Sequence, residues 1–191
     1  MNWNNNYYNS TYQGMPIGGY TLMFQNLLAG IDVRLNTPFS EVREWTKLSK
    51  SLIYTGKIDE FFEYKYGMLP YRSLMFKTKI EENTYNHAQI NFTENKVPYT
   101  RISEHQYYYP EYLTTTTPVV TYEYPAKHDN TNTPYYPIET RENCELYQKY
   151  KNELDSLENT YFGGRLGQYR YFNMDKTIEE TLKLVKKIRR N

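Results

Sequence analysis

The spacing of the apolar residues changes twice along this chain, and that change constrains the fold more than any other feature of the sequence. From about residue 71, apolar and polar residues alternate in four short segments, at residues 73–80, 88–92, 99–105 and 119–124. A period of two is typical of a strand with one buried face. Because polar turns separate the segments, we predict an antiparallel meander of four strands with one wetter face.

The sequence before this block predicts one helix and two short strands. Residues 20–29 are typical of a helix, and Gly30 is well placed to end it. Residues 31–35 alternate as a strand does, and residues 51–55 form a short apolar β segment that ends at Gly56. This region therefore predicts a fragment of mixed α/β connectivity.

After Pro137 the apolar residues return to helical spacing. One stripe predicts a helix and consists of Leu146, Tyr150, Leu154 and Leu157. A second stripe predicts a final helix from about Lys176 and consists of Ile178, Leu182, Val185 and Ile188.

This order of elements indicates an α/β (α+β) chain in which an antiparallel sheet is inserted into an α/β unit. We expect three parts, at residues 1–65, 66–133 and 134–191. We expect the two outer parts to pack together and to complete a unit that starts before residue 1.

Composition excludes several classes of function. The 23 Lys and Arg residues nearly cancel the 22 Asp and Glu residues, which argues against a broad surface for nucleic acid or anionic lipid. A mean hydropathy of -0.87 and the lack of a long apolar run predict no membrane span. The single cysteine, Cys144, excludes an internal disulfide, and no signal peptide is visible, so we expect a cytoplasmic protein.

Tyrosine is unusually frequent, with 23 residues against eight Phe and two Trp. A tyrosine ring packs well in a half-buried strand while its hydroxyl finds a polar partner. The composition therefore favours a Tyr-rich antiparallel sheet, and it leaves open a polar cleft for a hydrophilic or phosphorylated ligand.

The segment Phe162-Gly-Gly-Arg-Leu-Gly, which leads into the final helix, has features of an anion site. Its glycines let the backbone approach a ligand, and the helix N-terminus beyond offers unpaired N–H groups. Arg165 and Arg170 add donors that suit phosphate. An ordinary glycine-rich turn before a capped helix explains the same pattern.

Two other segments carry candidate binding residues. On a strand, Arg101, Ser103 and His105 point to one face, where Arg101 could bind a diphosphate or pair with a glutamate on a neighbouring strand. Tyr135 and Tyr136 lie between prolines that fix the backbone, so their hydroxyls could be held for a ligand with little entropy loss, although the motif by itself favours packing over binding. The three histidines are too scattered to predict a metal site.

Eight short segments together form a pattern that runs through the whole chain. They are Asn5-Asn-Tyr-Tyr-Asn-Ser-Thr-Tyr-Gln-Gly-Met-Pro, Gly18-Gly-Tyr-Thr, Ile53-Tyr-Thr-Gly-Lys-Ile-Asp, Tyr71-Arg-Ser-Leu, Val97-Pro-Tyr-Thr-Arg-Ile-Ser-Glu-His, Tyr122-Glu-Tyr-Pro, Pro134-Tyr-Tyr-Pro-Ile and Phe162-Gly-Gly-Arg-Leu-Gly-Gln-Tyr-Arg-Tyr. In this order they resemble the C-terminal half of the UDP-galactopyranose mutase family, a family of flavoenzymes.

The resemblance implies a fold, a reaction and a cofactor. The fold would be the C-terminal part of a Rossmann-like FAD-binding fold, incomplete at its N-terminus, with the antiparallel sheet inserted. The reaction would be the interconversion of UDP-galactopyranose and UDP-galactofuranose, in which N5 of reduced FAD attacks the anomeric carbon and displaces UDP. The protein would hold the diphosphate and position the sugar.

The resemblance also assigns roles to residues, but it assigns no catalytic side chain and no metal ligand. The implied substrate-binding residues are Tyr12, Arg101, Glu123, Tyr135, Tyr136 and Tyr171. The implied FAD-binding residues are Gly56, Arg72, Arg165, Asn173, Met174 and Asp175. The family usually has aspartate at the position of Asn173, and we predict that asparagine alters substrate or flavin affinity rather than abolishing the chemistry.

The family's dinucleotide fingerprint and most of its substrate-binding helices would lie before Met1. We therefore expect this chain, on its own, to hold FAD poorly and to lack mutase activity, and we expect its partners to include the N-terminal half of the family fold and a second copy in a homodimer. The competing hypothesis is a non-enzymatic module that binds a nucleotide sugar or a glycan. Nucleic-acid binding through stacked tyrosines is disfavoured by the near-zero net charge.

Overall fold

The computed structural model describes residues 10–109 and 117–189, so part of the first matching segment, at residues 5–9, lies outside the described residues. The helices and strands, in chain order, are α1 (Gly19–Leu27), α2 (Phe39–Val42), β1 (Leu52–Tyr54), α3 (Ile58–Phe61), β2 (Tyr71–Ile80), β3 (Gln89–Asn91), β4 (Arg101–Glu104), β5 (Val119–Lys127), β6 (Tyr136–Pro137), α4 (Arg141–Glu153), β7 (Thr160–Phe162), α5 (Gly164–Gly167) and α6 (Met174–Ile188). The chain is therefore a mixed α/β protein, as predicted.

Strands β2 to β6 form one antiparallel sheet in the order β3-β4-β5-β2-β6. The predicted meander is wrong, because β2 pairs with β5 instead of with β3. The first strand of the block lies beside the fourth, as in a Greek key. The long strands β2 and β5 pair along nine residues, whereas β3 is only three residues long. The longer ladder makes more backbone hydrogen bonds and accounts for the observed order.

Strands β1 and β7 form a separate two-stranded parallel sheet, in which Leu52 pairs with Thr160 and Tyr54 with Phe162. Residues 31–35, predicted as a strand, form bends and irregular backbone instead. Gly30 has a φ of 81°, but α1 is capped two residues earlier, at Leu28. Within the described part of the chain, no strand pairs with residues 31–35, so their alternating pattern does not form a strand.

The two helices predicted after Pro137 are confirmed with shifted ends. Helix α4 begins after Thr140, whose side chain accepts a hydrogen bond from the backbone of Asn143, and Leu157 lies beyond its end. Helix α6 begins at Met174, two residues before the predicted start. These differences arise at helix ends, where capping rather than apolar spacing sets the boundary.

The larger of the two apolar clusters joins segments from both ends of the chain. Its buried members are Tyr54, Ile58, Phe61, Leu69, Tyr71, Tyr150, Phe162 and Tyr169. Tyr150 is fully buried, and its hydroxyl donates to the backbone oxygen of Gly67 at 2.6 Å. A smaller cluster within the antiparallel sheet buries Ile102, Val120 and Tyr122. Half of the buried residues in the larger cluster are tyrosines, so packing explains part of the tyrosine excess.

Candidate functional site

The guanidinium group of Arg165 lies against two of the predicted substrate-binding tyrosines. Its Cζ atom is 5.5 Å from the ring centroid of Tyr136 and 4.7 Å from that of Tyr171. The two rings are 5.6 Å apart. A guanidinium held over aromatic faces keeps its N–H edges directed away from the rings and available to a ligand.

Three separate elements bring these side chains together. Arg165 lies in α5, immediately after the turn at Gly163 and Gly164, and its Nε donates to the backbone oxygen of Phe172. Gly164 has a φ of 72°, a left-handed conformation that favours glycine. Tyr171 is fixed from its backbone side, because its N–H donates to the Glu139 carboxylate at 2.9 Å.

A charge pair lies on the face of the antiparallel sheet that also carries Tyr136. Arg101 on β4 is directly opposite Glu123 on β5, and Arg101 Nε is 3.7 Å from Glu123 Oε2. Thr100 Oγ1 donates to the other carboxylate oxygen at 3.1 Å. Within the described residues, the buried Arg101 Nε has no hydrogen-bond partner. The sequence left open a diphosphate ligand or a glutamate partner for Arg101, and the structure provides the glutamate while leaving one Arg101 donor unsatisfied.

Electrostatics connect this charge pair with the tyrosines. Burial raises the pKa of Tyr136 above its ordinary value, and the negative charge of Glu123 raises it further. The positive charges of Arg101 and Arg165 act in the opposite direction. Tyr136 therefore keeps its proton at neutral pH and can donate a hydrogen bond to an anion while two arginines are close to it.

Tyr135 and strand β2 complete the walls of the cluster. The rings of Tyr135 and Tyr136 are 6.4 Å apart, and Tyr135 meets Phe76 at 6.0 Å. Arg72 pairs with Tyr136 across β2 and β6. A cleft of about 390 Å³ lies beside them, and its lining includes Arg72, Tyr136, Glu139 and Tyr171.

Sequence reasoning missed Phe76 and Glu139. Phe76 lies directly opposite Glu123 on the candidate face and is half exposed. It falls four positions after Arg72 on the same strand, so the period of two could have placed it on this face. Glu139 carries no local signal, because its role depends on a contact with residue 171.

Tyr12 is the predicted substrate-binding residue that the structure does not bring to the cluster. Its side chain is 92% exposed in the irregular segment before α1. Its role as a substrate contact therefore stays a prediction.

Two of the predicted flavin-side residues, Gly56 and Arg165, closely follow the ends of the parallel strands, whereas Arg72 lies on β2 of the other sheet. Gly56 follows β1 and Gly163 follows β7, so both turns lie at the same edge of the parallel sheet. A Cβ atom on Gly167 would lie 3.1 Å from the backbone oxygen of Tyr54, and one on Gly56 would lie 2.5 Å from Tyr54 Oη. These two positions need glycine because of packing within the protein, so they are not themselves evidence of a ligand.

The N-terminus of α6 follows Phe172, whose backbone oxygen accepts from Arg165. Asn173 caps the helix through its backbone, while its side-chain oxygen accepts a hydrogen bond from the Tyr171 hydroxyl at 2.9 Å. Met174 is largely exposed, and Asp175 adds a carboxylate to the first helical turn. Asn173 thus connects the predicted flavin side with the predicted substrate side through Tyr171.

Comparison with known proteins decides the family. The family model for UDP-galactopyranose mutase matches residues 1–171. The chain belongs to the UDP-galactopyranose mutase family. A probable UDP-galactopyranose mutase of Klebsiella pneumoniae is 36% identical over 184 residues, which cover 96% of this chain and 48% of the relative.

Two further relatives match this chain over a similar share of its length. A dTDP-fucopyranose mutase of Escherichia coli is 32% identical over 95% of this chain and 50% of its own length. A UDP-galactopyranose mutase of Mycoplasma genitalium is 32% identical over 90% of this chain and 46% of its own length. The chain thus spans about half the length of the curated relatives it matches. Among the residues that the structure describes, no helix has the length and apolar character needed to cross a membrane.

Proposed function

We propose that this chain supplies the diphosphate-binding face of an enzyme that interconverts UDP-galactopyranose and UDP-galactofuranose with reduced FAD. The observation that carries the proposal is the position of Arg165 over the rings of Tyr136 and Tyr171. That contact joins residues implied for the flavin with residues implied for the substrate. In a chain of this family, it supports one continuous site for both.

The chain's own residues would act mainly on the leaving group. Loss of UDP from the anomeric carbon concentrates negative charge on the diphosphate, and hydrogen-bond donors held in place lower the cost of that charge. Arg101 and Tyr136 would donate to the diphosphate oxygens, and Tyr171 would do so by turning its hydroxyl proton from Asn173 to the ligand. Glu123 would orient Arg101 through their 3.7 Å contact, and Tyr135 would complete the wall beside Tyr136.

The backbone on the flavin side of the site has features that are suited to binding a dinucleotide. The left-handed turn at Gly164 follows the parallel strand β7, and Arg165 beside it donates to the backbone oxygen of Phe172, next to Asn173, the N-cap of a 15-residue helix. Gly56, Arg72, Arg165 and the segment from Asn173 to Asp175 would hold the cofactor. When bound, reduced FAD supplies the nucleophile for the anomeric carbon.

The same proposal needs the portion of the family fold that this chain does not cover. The Rossmann-like dinucleotide site would be completed by that portion, and we place the reaction in the cytoplasm. Family membership does not favour the alternative of a non-enzymatic sugar-binding module.

The test is a fusion of this whole chain to the uncovered portion of the Klebsiella relative, assayed with reduced FAD and UDP-galactofuranose. We expect turnover to UDP-galactopyranose by the fusion and none by the isolated chain. Because one relative is a dTDP-fucopyranose mutase, dTDP-fucopyranose is assayed in parallel. A fusion that binds FAD but converts neither nucleotide sugar would overturn the proposal, and turnover by the isolated chain would refute the need for the other portion.

A further inference from the structure

Tyr171 lies in the linker between α5 and α6, at residues 168–173, which forms neither a helix nor a strand. The backbone of Tyr169 in this linker has a φ of 44°, a left-handed conformation that residues other than glycine rarely adopt. A conformation of this kind persists only where the surrounding contacts hold it. The position of the Tyr171 hydroxyl therefore depends on the contacts that fix the linker.

The connection between β6 and α4 supplies two of those contacts. The hydroxyl of buried Tyr169 donates to the backbone oxygen of Ile138 at 3.1 Å. Two residues later, the N–H of Tyr171 donates to the Glu139 carboxylate at 2.9 Å. The connection is itself anchored, because the backbone oxygen of Ile138 also accepts from the side-chain amide of Asn143 at 2.7 Å. Glu139 thus ties Tyr171 to an anchored segment beside the antiparallel sheet.

The bond from Tyr171 to Glu139 fixes the start of the tyrosine side chain without using its hydroxyl. An N–H that donates to a carboxylate forms a stronger bond than one that donates to a neutral acceptor. The tyrosine ring lies 4.7 Å from the Arg165 guanidinium, and the hydroxyl donates to Asn173 at 2.9 Å. The hydroxyl proton is the part of Tyr171 that would turn to a ligand, so Glu139 acts on it only through the backbone of Tyr171.

The charge of Glu139 has a second effect. Glu139 lines the cleft of about 390 Å³ together with Arg72, Tyr136 and Tyr171. Its carboxylate repels a diphosphate bound there, which lowers the affinity of the cleft for the ligand. The two effects can be separated by substitution, because glutamine keeps an acceptor oxygen for the Tyr171 N–H and removes the charge.

We infer that Glu139 positions the Tyr171 hydroxyl for the leaving diphosphate, while its charge weakens binding of the nucleotide sugar. The inference rests on the proposed function, in which Tyr171 donates to the diphosphate. Negative charge on the diphosphate grows as the bond to the anomeric carbon breaks, so a misplaced Tyr171 hydroxyl affects the transition state more than the bound substrate. Loss of Glu139 should therefore lower kcat more than it changes KM.

The kinetic test measures kcat and KM for UDP-galactofuranose in the fusion. Glu139→Ala should lower kcat at least about tenfold and leave KM within about threefold of wild type. Glu139→Gln should keep kcat within about twofold and lower KM, because it retains the acceptor without the charge. Glu145→Ala, which removes an exposed carboxylate of α4, is the control and should change neither constant.

A second substitution distinguishes positioning from a general structural role. In a Tyr171→Phe background, Glu139→Ala should have almost no further effect on kcat, because the hydroxyl that it positions is gone. A further loss as large as the one in the wild-type background would overturn the inference. An unchanged kcat for Glu139→Ala, or a Glu139→Gln variant as impaired as Glu139→Ala, would also overturn it.

A measurement without catalysis separates this inference from the proposed function. In the full chain without ligands, the Tyr171 amide should exchange with solvent at least about tenfold faster in Glu139→Ala than in wild type, and at nearly the wild-type rate in Glu139→Gln. Unchanged exchange in Glu139→Ala would overturn the inference even if the fusion is active. Faster exchange in a chain whose fusion turns over no nucleotide sugar would count against the proposed function alone.

Discussion

The two sheets of this protein differ in how complete they are. In the antiparallel sheet, five strands pair in an unbroken order, and one face displays Arg101, Glu123 and Tyr136. The parallel sheet has two strands of three residues each, joined across more than 100 positions of sequence. Apolar residues of α1 and α6 are largely exposed, among them Phe24, Leu27, Ile178 and Leu182. The antiparallel sheet therefore has the longer ladders and carries the candidate binding residues, whereas the parallel sheet is held by only three paired positions.

The largest expected effect tests which sheet anchors the fold. Tyr150→Ala removes a fully buried ring from the cluster beneath the parallel sheet, together with the bonds of its hydroxyl to Gly67 and Tyr66. We expect the free energy of unfolding to fall by about 3–5 kcal/mol, as measured by urea denaturation. Tyr150→Phe keeps the ring and should cost about 1–2 kcal/mol.

The matching substitution in the other sheet is Ile102→Ala, in the smaller cluster. We expect a loss of about 2–3 kcal/mol, with faster amide exchange confined to β3, β4 and β5. If Ile102→Ala were to accelerate exchange in α4 as strongly as Tyr150→Ala does, the two sheets would not be separable units and the comparison would fail.

The next-largest effect distinguishes the substrate side of the site from the flavin side. The affinities for nucleotide sugar and for flavin are measured in the fusion with the uncovered portion of the Klebsiella relative. Arg101→Ala should weaken binding of the nucleotide sugar about 10- to 100-fold and leave flavin affinity unchanged, because it removes charge-assisted bonds to one ligand. Arg165→Ala should weaken both, since Arg165 contacts Tyr136 and Tyr171 beside the turn at Gly164. Arg141→Ala, at an exposed position of α4 where Arg141 pairs with Glu145, is the control and should change neither affinity. Equal effects of Arg101→Ala and Arg165→Ala on flavin binding would contradict this division.

A third prediction uses a buried carboxyl group at the junction of the two sheets. Burial raises the pKa of Asp59 above its ordinary value, although the N–H of Leu69 donates to its Oδ2 at 2.9 Å and partly offsets the shift. A raised pKa in the folded state means that protonated Asp59 favours folding, so its contribution is present at acidic pH and is lost as the pH rises through the raised value. Asp59→Asn should remove this dependence.

The measurement is the difference in unfolding free energy between wild type and Asp59→Asn at about pH 4 and about pH 8. We expect the wild type to lose stability relative to the variant as the pH rises. Asp129→Asn is the control, because hydrogen bonds from Thr131 hold the pKa of the exposed Asp129 below its ordinary value, and the stability that it contributes is lost only as the pH falls below about 4. A difference between wild type and Asp59→Asn that stayed constant with pH would contradict the prediction.

Local patterns in the sequence predicted the elements but not how they meet. Alternation located β2, β4 and β5, and apolar stripes located α4 and α6, because burial of one face is a property of a single element. The pairing of β2 with β5 depends on competition among distant strands, which no single segment encodes. Residues 31–35 carried the alternation of a strand without a partner strand, so that prediction failed.

The same limit applies to the candidate site. The proximity of Arg165 to Tyr136 results from a pairing of β6 with β2 and a turn that follows β7, and neither is visible in local spacing. Resemblance to the family supplied the residues, and the structure brings Arg165, Tyr136 and Tyr171 into contact but leaves Tyr12 exposed. Gly56 and Gly167 show the converse, since a pattern suggesting ligand contact proved to be required by the packing around Tyr54.

The smallest expected effect concerns the residue that connects the two sides of the site. Asn173→Asp places a carboxylate where the Asn173 side chain now accepts from the Tyr171 hydroxyl, at the N-terminus of α6. Because a negative charge there favours the helix, the free energy of unfolding should rise by about 0.3–1 kcal/mol. The same charge repels the diphosphates of both ligands, so affinity in the fusion should change about two- to tenfold while turnover is retained. Asn173→Ser, which keeps a neutral acceptor, is the control. Unchanged kinetics and an unchanged flavin titration for Asn173→Asp would show that this position does not couple the parallel unit to the ligand-binding sheet.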